Sequence, residues 1–284
     1  MHAFVWHDYK RRTGEEPPMR PHDTYSHDWP RMFERLEADG VTPRNAHLII
    51  DEGQDLPAGF FTYVSRYVAR RLTVFSDDDQ ALSHQRTTLE QIKSAAGLGD
   101  PLVLKRNHRN VPEVARLAEH FHSGRLPVAS VSRSSSGEIP RLARHADTGE
   151  VAARVSNWYK TRGGSVGVIV RNNKTGKELR KELRCRVGEA RVDLYTSEDK
   201  NEDEIDVSDS GVTVLNKESV KGQEFDAVFI VEIECFMPCA NDAERRAMYM
   251  MCARARDHLF LVHGPELSTA AVEALPEPDV LERS

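Results

Sequence analysis

The sequence has few cysteines and no long apolar run, and both shortages restrict what the protein can be. Its four cysteines, Cys185, Cys235, Cys239 and Cys252, form no disulfide framework. Cys235 and Cys239 lie four residues apart, but no second pair at zinc spacing accompanies them, so no zinc site is predicted. No stretch is long enough to cross a bilayer, and the first residues do not resemble a signal peptide. We therefore expect a soluble, cytoplasmic protein with reduced thiols.

An excess of basic residues is also missing. The chain has 39 Lys and Arg residues against 45 Asp and Glu residues, which gives a formal net charge of -6 at pH 7. Overall charge therefore does not indicate nucleic-acid binding, although a local basic groove is compatible with an acidic total. The dense acidic run at 197–209 is predicted to be a solvated loop.

The loop GxxxxGK(S/T), whose backbone N–H groups and lysine hold nucleotide phosphates, is absent. The Gly176-Lys177 pair is followed by Glu178, and Arg171 occupies the position that the first glycine would need. The pair also falls inside a predicted helix. We therefore reject it as a phosphate site.

What the sequence does contain is a regular alternation of β-rich apolar runs and helical patterns. This alternation predicts an α/β protein with parallel sheets and crossover helices. The predicted strands cover 47–51, 71–76, 101–106, 165–170, 191–196, 211–216, 227–233 and 258–263. The predicted helices cover 57–70, 85–97, 111–123, 147–161, 174–187 and 241–256. A stretch rich in Ser and Gly at 129–140 predicts a linker between two α/β halves.

The first strand of this series runs directly into the acidic stretch "DEGQD", which begins with Asp51 and Glu52. The carboxyl edge of a parallel sheet is where such folds bind ligands. In nucleotide hydrolases one carboxylate at this position holds Mg²⁺ and a second polarises the attacking water. A turn with solvated acids is the alternative for these two residues taken alone.

Four later segments weaken that alternative. They are "LTVFSDDDQALSHQR", "LVLKRNHRNVPEVARLAEHF", "GVTVLNKESVKGQEFDAVFIVEI" and "AERRAMYMMCARARDHLFLV". Each segment is weak alone, but their order and spacing resemble the UvrD/Rep-type superfamily 1 helicases from motif II through motif VI. The resemblance covers nearly the whole chain. It implies two RecA-like parallel-sheet domains, with residues 1–128 as an incomplete first domain that lacks the phosphate-loop strand and residues 141–284 as the second.

The resemblance also implies ATP and Mg²⁺ as cofactors and DNA, single-stranded or partly duplex, as a partner. It makes Asp51 the Mg²⁺ ligand and Glu52 the catalytic base, with Gln54 and Asp55 completing motif II. The remaining implied site residues are Gln80 as γ-phosphate sensor, Arg109 and Arg254 at the γ-phosphate, His108, Lys221, Gly222 and Glu224 at the nucleotide, and Arg86 and Asn216 at the DNA.

Several positions depart from the family pattern. Gln85 and Ser83 lie where aromatic residues would grip DNA, and base stacking on such residues contributes about 1–3 kcal/mol per base. Glu218 replaces a typical histidine in motif V, and Ala253 replaces the threonine before the motif VI arginine. Ser76 lies where motif III usually has glycine. His108 replaces the common tyrosine that stacks on adenine, and this change is mild because histidine can still stack.

Three hypotheses follow for a chain with motif II carboxylates and no phosphate loop. In the first, the chain belongs to a split or truncated ATPase, and a partner chain or an upstream segment supplies the loop. In the second, it is a non-catalytic helicase remnant that serves as a binding or regulatory module. In the third, it is a complete ATPase with a different phosphate clamp.

Overall fold

The polypeptide folds into two units, Met1–Val103 and Leu104–Ser284. The computed structural model describes residues 1–77, 87–124, 127–188, 191–195 and 210–283. Among these residues, no helix has the length and apolar character needed to cross a membrane.

The N-terminal unit packs helices against one face of a two-stranded parallel sheet. Its elements are α1 (His2–Thr13), β1 (Met19–Arg20), β2 (Asp23–His27), α2 (Trp29–Ala38), β3 (Arg44–Ile50), α3 (Ala58–Tyr63), a π-helix at Val64–Val68, β4 (Ala69–Val74) and α4 (Leu89–Ala96). Strands β3 and β4 pair in parallel, with Ile50 opposite Val74. Ile50 and Val74 face the core around Phe61, whereas Ile49 points the other way and is 63% exposed.

The C-terminal unit is built on a seven-stranded parallel sheet in the order β13-β7-β12-β11-β8-β10-β9. The sheet contains β7 (Arg141–Arg144), β8 (Ser165–Val170), β9 (Val192–Tyr195), β10 (Gly211–Asn216), β11 (Phe225–Val231), β12 (Ala255–His263) and β13 (Glu282–Arg283). The unit also contains β5 (Arg106–Asn107) and β6 (Ser130–Val131), which pair with each other. Its helices are α5 (Pro112–His120), α6 (Thr148–Arg162), α7 (Asn173–Val187), α8 (Asp242–Cys252) and α9 (Thr269–Glu273).

Both faces of this sheet are covered. Helices α6 and α7 pack on one face around Val168 and Phe229, and α5, α8 and α9 pack on the other around Ile169 and Ile230. Because the central strands are buried on both faces, their sequences are continuous apolar runs and not alternating ones. The α/β fold and the parallel sheet predicted from the sequence are confirmed.

Gly176 lies inside α7 and is buried. A Cβ at this position would come within 3.2 Å of Leu194 and 3.4 Å of Val170, so the glycine allows α7 to sit close to the sheet. This packing role agrees with the rejection of Gly176-Lys177 as a phosphate loop.

Seven of the eight predicted strands are present, with ends shifted by up to three residues. The exception is 101–106, which was predicted as one strand. Only Arg106 joins a strand, and residues 101–105 have no partner strand among the described residues. Leu102 is 95% exposed and Leu104 is 81% exposed. An isolated apolar run cannot form a strand, because a strand exists only through pairing with a neighbour.

The predicted linker at 129–140 belongs to the C-terminal unit and packs on it. Ser130 pairs with Arg106 in a parallel ladder. The Glu113 carboxylate accepts hydrogen bonds from the backbone N–H groups of Ser136 (3.3 Å) and Gly137 (3.0 Å). Burial raises the pKa of Glu113, but these bonds and one from the Ser135 hydroxyl outweigh it and hold the pKa at about 2. The division between the units thus lies at Val103, not within 129–140.

His27 makes the stability of the N-terminal unit sensitive to acid. It is 3% exposed, and neither ring nitrogen has a hydrogen-bond partner among the described residues. Burial lowers its pKa from 6.5 to about 4, with smaller contributions from His2 and the N-terminus. The unfolded chain therefore binds a proton that the folded chain does not, and stability should fall by about 3 kcal/mol as the pH drops from 6.5 to 4.

Urea unfolding at several pH values, with His27→Phe as the control, checks this expectation. The variant should lose the part of the pH dependence that lies between the two pKa values, because phenylalanine fills the site without titrating. Parallel pH profiles for the two proteins would contradict the assignment.

Candidate functional site

The acidic turn after β3 has an unusual backbone. Glu52 adopts the left-handed conformation with φ 54° and ψ 42°, and a short 3₁₀ helix follows at Gly53–Asp55. A non-glycine residue in this region costs roughly 1–3 kcal/mol and persists only where its surroundings hold it. Asp51 is exposed, and its Oδ1 accepts a hydrogen bond of 2.9 Å from the Glu52 N–H. The turn therefore presents two consecutive carboxylates at the carboxyl end of a parallel strand.

Gly53 allows this turn to sit against β4. Its N–H donates to the Phe75 carbonyl at 2.8 Å. A Cβ on Gly53 would lie 2.5 Å from the Val74 side chain, which no real packing allows. The absence of a side chain at position 53 is thus a steric requirement of the turn.

Gln54 connects the carboxylate of Glu52 to the segment after β4. Gln54 is fully buried, and its Nε2 donates to Glu52 Oε2 at 2.6 Å. Its Oε1 accepts from the Ser76 hydroxyl at 3.1 Å and from the Asp77 N–H at 3.0 Å. The sequence predicts Gln54 as a nucleotide-binding residue, and the hydrogen bonds make it a residue that positions Glu52.

A similar turn follows β11 in the C-terminal unit. Glu232 has φ 59° and ψ 45°, and a 3₁₀ helix follows at Ile233–Cys235. The residue before it is Val231, whereas Asp51 precedes Glu52. The turns after β3 and β11 therefore share a backbone geometry. Of these two turns, only the one after β3 carries two consecutive carboxylates. Sequence inspection finds no repeat because the two turns share almost no side chains.

Several of the predicted nucleotide residues lie together at the amino edge of the seven-stranded sheet. Arg109 and Glu224 form an ion pair with 2.5 Å between Nη2 and Oε1, and each side chain is about one third exposed. Arg256 Nε lies 3.6 Å from Oε2 of the same Glu224 carboxylate, and Arg256 Nη1 lies 3.3 Å from Asp226 Oδ1. His108 and Gly222 are exposed, and Lys221 is half-buried. The structure thus pairs Arg109 and Glu224 with each other.

Arg254 is buried, with 1% of its surface exposed. Its Nε donates to the Met250 carbonyl at 3.1 Å and its Nη1 to the Gln223 carbonyl at 3.4 Å. The predicted helix 241–256 is too long, since α8 ends at Cys252 and Arg256 lies in β12. The reason is that the Arg254 carbonyl accepts the Phe225 N–H at 3.0 Å, which draws the chain into the sheet.

Asn110, which the sequence did not single out, holds this edge together. Its Nδ2 donates to the carbonyls of Ala253 (3.0 Å) and Ala255 (2.5 Å), and its Oδ1 accepts from Asn107 Nδ2 at 2.8 Å. Arg133 adds bonds to the carbonyls of Arg109 (2.8 Å) and Arg256 (3.2 Å). The "NHRN" spacing is the only signal in the sequence, because the two carbonyls to which Asn110 donates lie more than 140 residues away.

Asn216 lies at the opposite, carboxyl edge of the same sheet. Its Nδ2 donates to Asn173 Oδ1 at 2.8 Å, and its Oδ1 accepts the Ser219 N–H at 3.0 Å. Arg171 follows β8 at this edge and is exposed. Strands β8 and β11 are neighbours whose chain connections leave in opposite directions, and ligands of open parallel sheets bind at such points. The predicted nucleotide and DNA residues of this unit thus occupy different edges.

Other predicted residues cannot be located. Gln80, Arg86, Ser83, Gln85 and the acidic run at 197–209 lie outside the described residues. Within the described ranges, no group of three or more His, Cys, Asp or Glu side chains is arranged to hold a metal ion. Mg²⁺ does not need such a group, since it usually retains several waters and binds one or two carboxylates together with substrate phosphates. The exposed Asp51 carboxylate fits that role.

Comparison with known proteins gives a family match in the C-terminal unit. Residues 211–262 match the family described as UvrD-like helicase C-terminal domain. Curated proteins give no match. Among solved structures, the chain is similar to the C-terminal domain of a possible DNA helicase from Lactobacillus plantarum WCFS1, with 17% identity, a TM-score of 0.44, and 62% of this chain and 98% of that chain covered. Residues 211–262, which include β10, β11, α8 and most of β12, are thus the part of the chain that is similar to UvrD-like helicase C-terminal domains.

Proposed function

We propose that this chain contributes motifs II to VI to a UvrD-type ATPase that acts on DNA, and that a segment outside residues 1–284 supplies the phosphate-binding loop. The observation that carries the proposal is the side chain of Gln54. It fixes the Glu52 carboxylate and at the same time binds Ser76 and Asp77 after the next strand. A solvated acidic turn would need no such buried amide.

In this proposal Asp51 holds Mg²⁺ and Glu52 accepts a proton from the attacking water. Bound MgATP supplies the phosphoryl group for transfer. The hydrogen bond from Gln54 limits the rotamers of Glu52, and the left-handed backbone sets the direction of its side chain. Positioning and general base catalysis of this kind contribute about 10²–10⁴-fold to a rate. Gln80 keeps its proposed role as a sensor of the γ-phosphate.

Arg109 and Arg254 are the proposed cations for the γ-phosphate, and a guanidinium in that role contributes about 10³–10⁵-fold. Arg109 reaches a phosphate by exchanging one partly exposed ion pair, which contributes at most about 1 kcal/mol to stability. Arg254 would first have to leave the Met250 and Gln223 carbonyls. Arg109 can therefore reach a phosphate with a smaller rearrangement than Arg254. Glu224, Lys221, Gly222 and His108 form the rest of the proposed nucleotide contact.

DNA is the proposed partner of the carboxyl edge that contains Asn216, and Arg86 keeps its proposed role as a DNA-binding residue. Exposed Arg171 and the amide groups of Asn172 and Asn173 supply hydrogen-bond donors at the same edge. Phosphate oxygens accept from groups of this kind in most protein–nucleic-acid contacts.

The phosphate-binding loop is proposed to follow a strand that joins β3 and β4. Crossover helices normally cover both faces of a parallel sheet, yet Ile49 (63%) and Phe75 (52%) are exposed on one face of this pair. The helix that would cover this face is therefore proposed to belong to the same outside segment as the added strand. A parallel strand added to the pair would deliver its following loop to the edge that carries Asp51 and Glu52. The N-terminal unit would then be the incomplete first RecA-like domain, and the C-terminal unit the second.

Phosphate release from ATP, measured with and without single-stranded DNA, tests the proposal. The protein is purified with any chain that co-purifies, and each preparation is checked by mass spectrometry. DNA-stimulated hydrolysis is the expected result. Hydrolysis that DNA does not change would remove DNA from the proposal, and no hydrolysis in the presence of a loop-bearing chain would remove the ATPase.

The second candidate function is a non-catalytic module, and one observation favours it. Arg254 is buried and donates hydrogen bonds to two backbone carbonyls, which is a structural role. In that case nucleotide has no effect on DNA or protein binding by this chain.

Substitution of Glu224 distinguishes a role in nucleotide binding from a role in the stability of the fold. We expect Glu224→Ala to change the free energy of unfolding by less than about 1 kcal/mol, because its ion pair with Arg109 is partly exposed. The same change should weaken nucleotide binding about tenfold, since the nucleotide loses the hydrogen bond proposed for the Glu224 carboxylate. Fluorescent-nucleotide titration and urea unfolding measure the two effects.

The matched control is Asp279→Ala, which removes the carboxylate partner of Arg116 in an exposed pair of the same unit. It should leave nucleotide binding unchanged. Equal effects of the two substitutions on nucleotide affinity would show that Glu224 has no special role.

A further inference from the structure

Helix α7 presents a basic surface on a protein whose net charge is negative. The helix contains six Lys and Arg residues and two acids, Glu178 and Glu182. Lys174, Lys177 and Lys181 are all exposed. Their spacing of three and four residues places them on one side of the helix, over a length of about 10 Å.

The first turn of α7 carries a positive charge, whereas the first turns of α5, α6 and α8 carry negative ones. Helices α5, α6 and α8 each carry an acid in the first turn, as the positive end of the helix dipole favours. Helix α7 has no acid there and carries Lys174 instead, three residues after exposed Arg171. Two cations at the positive end of a dipole are unfavourable unless an anion is bound. Locally unfavourable choices of this kind are expected at functional sites.

The start of α7 is also joined to the residue that the sequence predicts at the DNA. Asn173 is the first residue of the helix, and its Oδ1 accepts the hydrogen bond from Asn216 Nδ2 at 2.8 Å. The lysines therefore begin at the carboxyl edge of the sheet and continue along α7 toward the amino edge. A strand of nucleic acid leaving Asn216 would meet their charges in order.

We propose that Lys174, Lys177 and Lys181 bind consecutive phosphates of single-stranded DNA and extend its contact from the carboxyl edge along α7. This inference rests on the proposed action on DNA and adds a contact surface to it. Lysine is suited to such contacts, since an ammonium group is a point charge that binds phosphate without reading the base. The contact should therefore be independent of sequence and sensitive to salt.

Fluorescence anisotropy with a labelled oligothymidylate, measured over a series of salt concentrations on the full chain, tests the proposal. The triple change of Lys174, Lys177 and Lys181 to alanine should reduce the slope of log K against log salt by about 2, because each single-strand phosphate contact contributes about 0.7. Affinity at about 0.1 M salt should fall about 10–100-fold. Replacing the same three lysines with arginine should restore both values.

The control removes the same charge elsewhere in the unit, through alanine at Arg116, Lys160 and Arg162, which are exposed on α5 and α6. It should change affinity by less than about twofold. Equal losses in the two triple variants would overturn the proposal, because net charge alone would then explain them. DNA binding by the wild type that neither triple variant alters would overturn it while leaving the proposed function intact.

Lysine acetylation of the wild-type chain gives a readout that needs no variant to fold. Oligothymidylate should protect Lys174, Lys177 and Lys181 from acetic anhydride and leave Lys160 reactive. Protection by polyglutamate and not by DNA would overturn the proposal in favour of an acidic protein partner. Failure of the wild type to bind DNA at all would overturn both this inference and the DNA part of the proposed function.

Discussion

Replacing Glu52 with glutamine is expected to reduce ATP hydrolysis by the assembled ATPase by about 10³-fold, within the range found for general bases. Glutamine has nearly the same shape and can still accept the 2.6 Å hydrogen bond from Gln54 Nε2. It cannot accept a proton from water. Nucleotide affinity should change by less than about threefold, because the neighbouring Asp51 is untouched. Steady-state phosphate release and nucleotide titration on the same preparation measure both quantities.

The control for this expectation is Glu90→Gln, which removes an exposed carboxylate from α4 in the same unit. It should leave hydrolysis unchanged. A Glu52→Gln protein that keeps more than about a tenth of the wild-type rate would contradict the role of Glu52 as the base.

Replacing Asn110 with alanine is expected to lower the free energy of unfolding of the C-terminal unit by about 2–4 kcal/mol. The Asn110 amide supplies the hydrogen bonds that the Ala253 and Ala255 carbonyls accept, and it is itself 3% exposed. Its loss leaves buried acceptors without a donor, which costs about 1–3 kcal/mol for each group. Urea unfolding followed by circular dichroism measures the change.

Asn157→Ala provides the comparison, because Asn157 is exposed on α6 of the same unit. Its effect should stay within about 0.5 kcal/mol. If Asn110→Ala is equally mild, the loop that carries Arg109 is held by other contacts, such as those of Arg133.

The parts of the fold that the sequence predicted well are those whose signal is local. Strands β8 and β10 have the predicted boundaries, since each is a short, mainly apolar run that the sheet buries on both faces. The run at 101–105 carries the same local signal but forms no strand, because pairing depends on a neighbour that the apolar pattern does not reveal. The short strand β6 was missed inside a Ser-rich stretch, since its only support is the ladder to Arg106 and Asn107.

The residues of the candidate site also differ in whether their signal in the sequence is local. Asp51 and Glu52 could be found from their position directly after an apolar run, which is a local pattern. The pairing of Arg109 with Glu224 and the burial of Arg254 could not, because each depends on residues from a distant part of the chain. Gln54 was recognised as a member of the motif, but its role in orienting Glu52 became visible only through Ser76 and Asp77.

The central claim is that this chain carries the magnesium and water-activating carboxylates of an ATP site whose phosphate-binding loop lies on another segment. The most direct measurement compares ATP hydrolysis by residues 1–284 alone with hydrolysis by the same residues joined to, or co-purified with, a polypeptide that carries GxxxxGK(S/T). We expect background hydrolysis from the chain alone and Glu52-dependent hydrolysis from the combination. Glu52-dependent hydrolysis by the chain alone, at the rate of the combination, would contradict the claim.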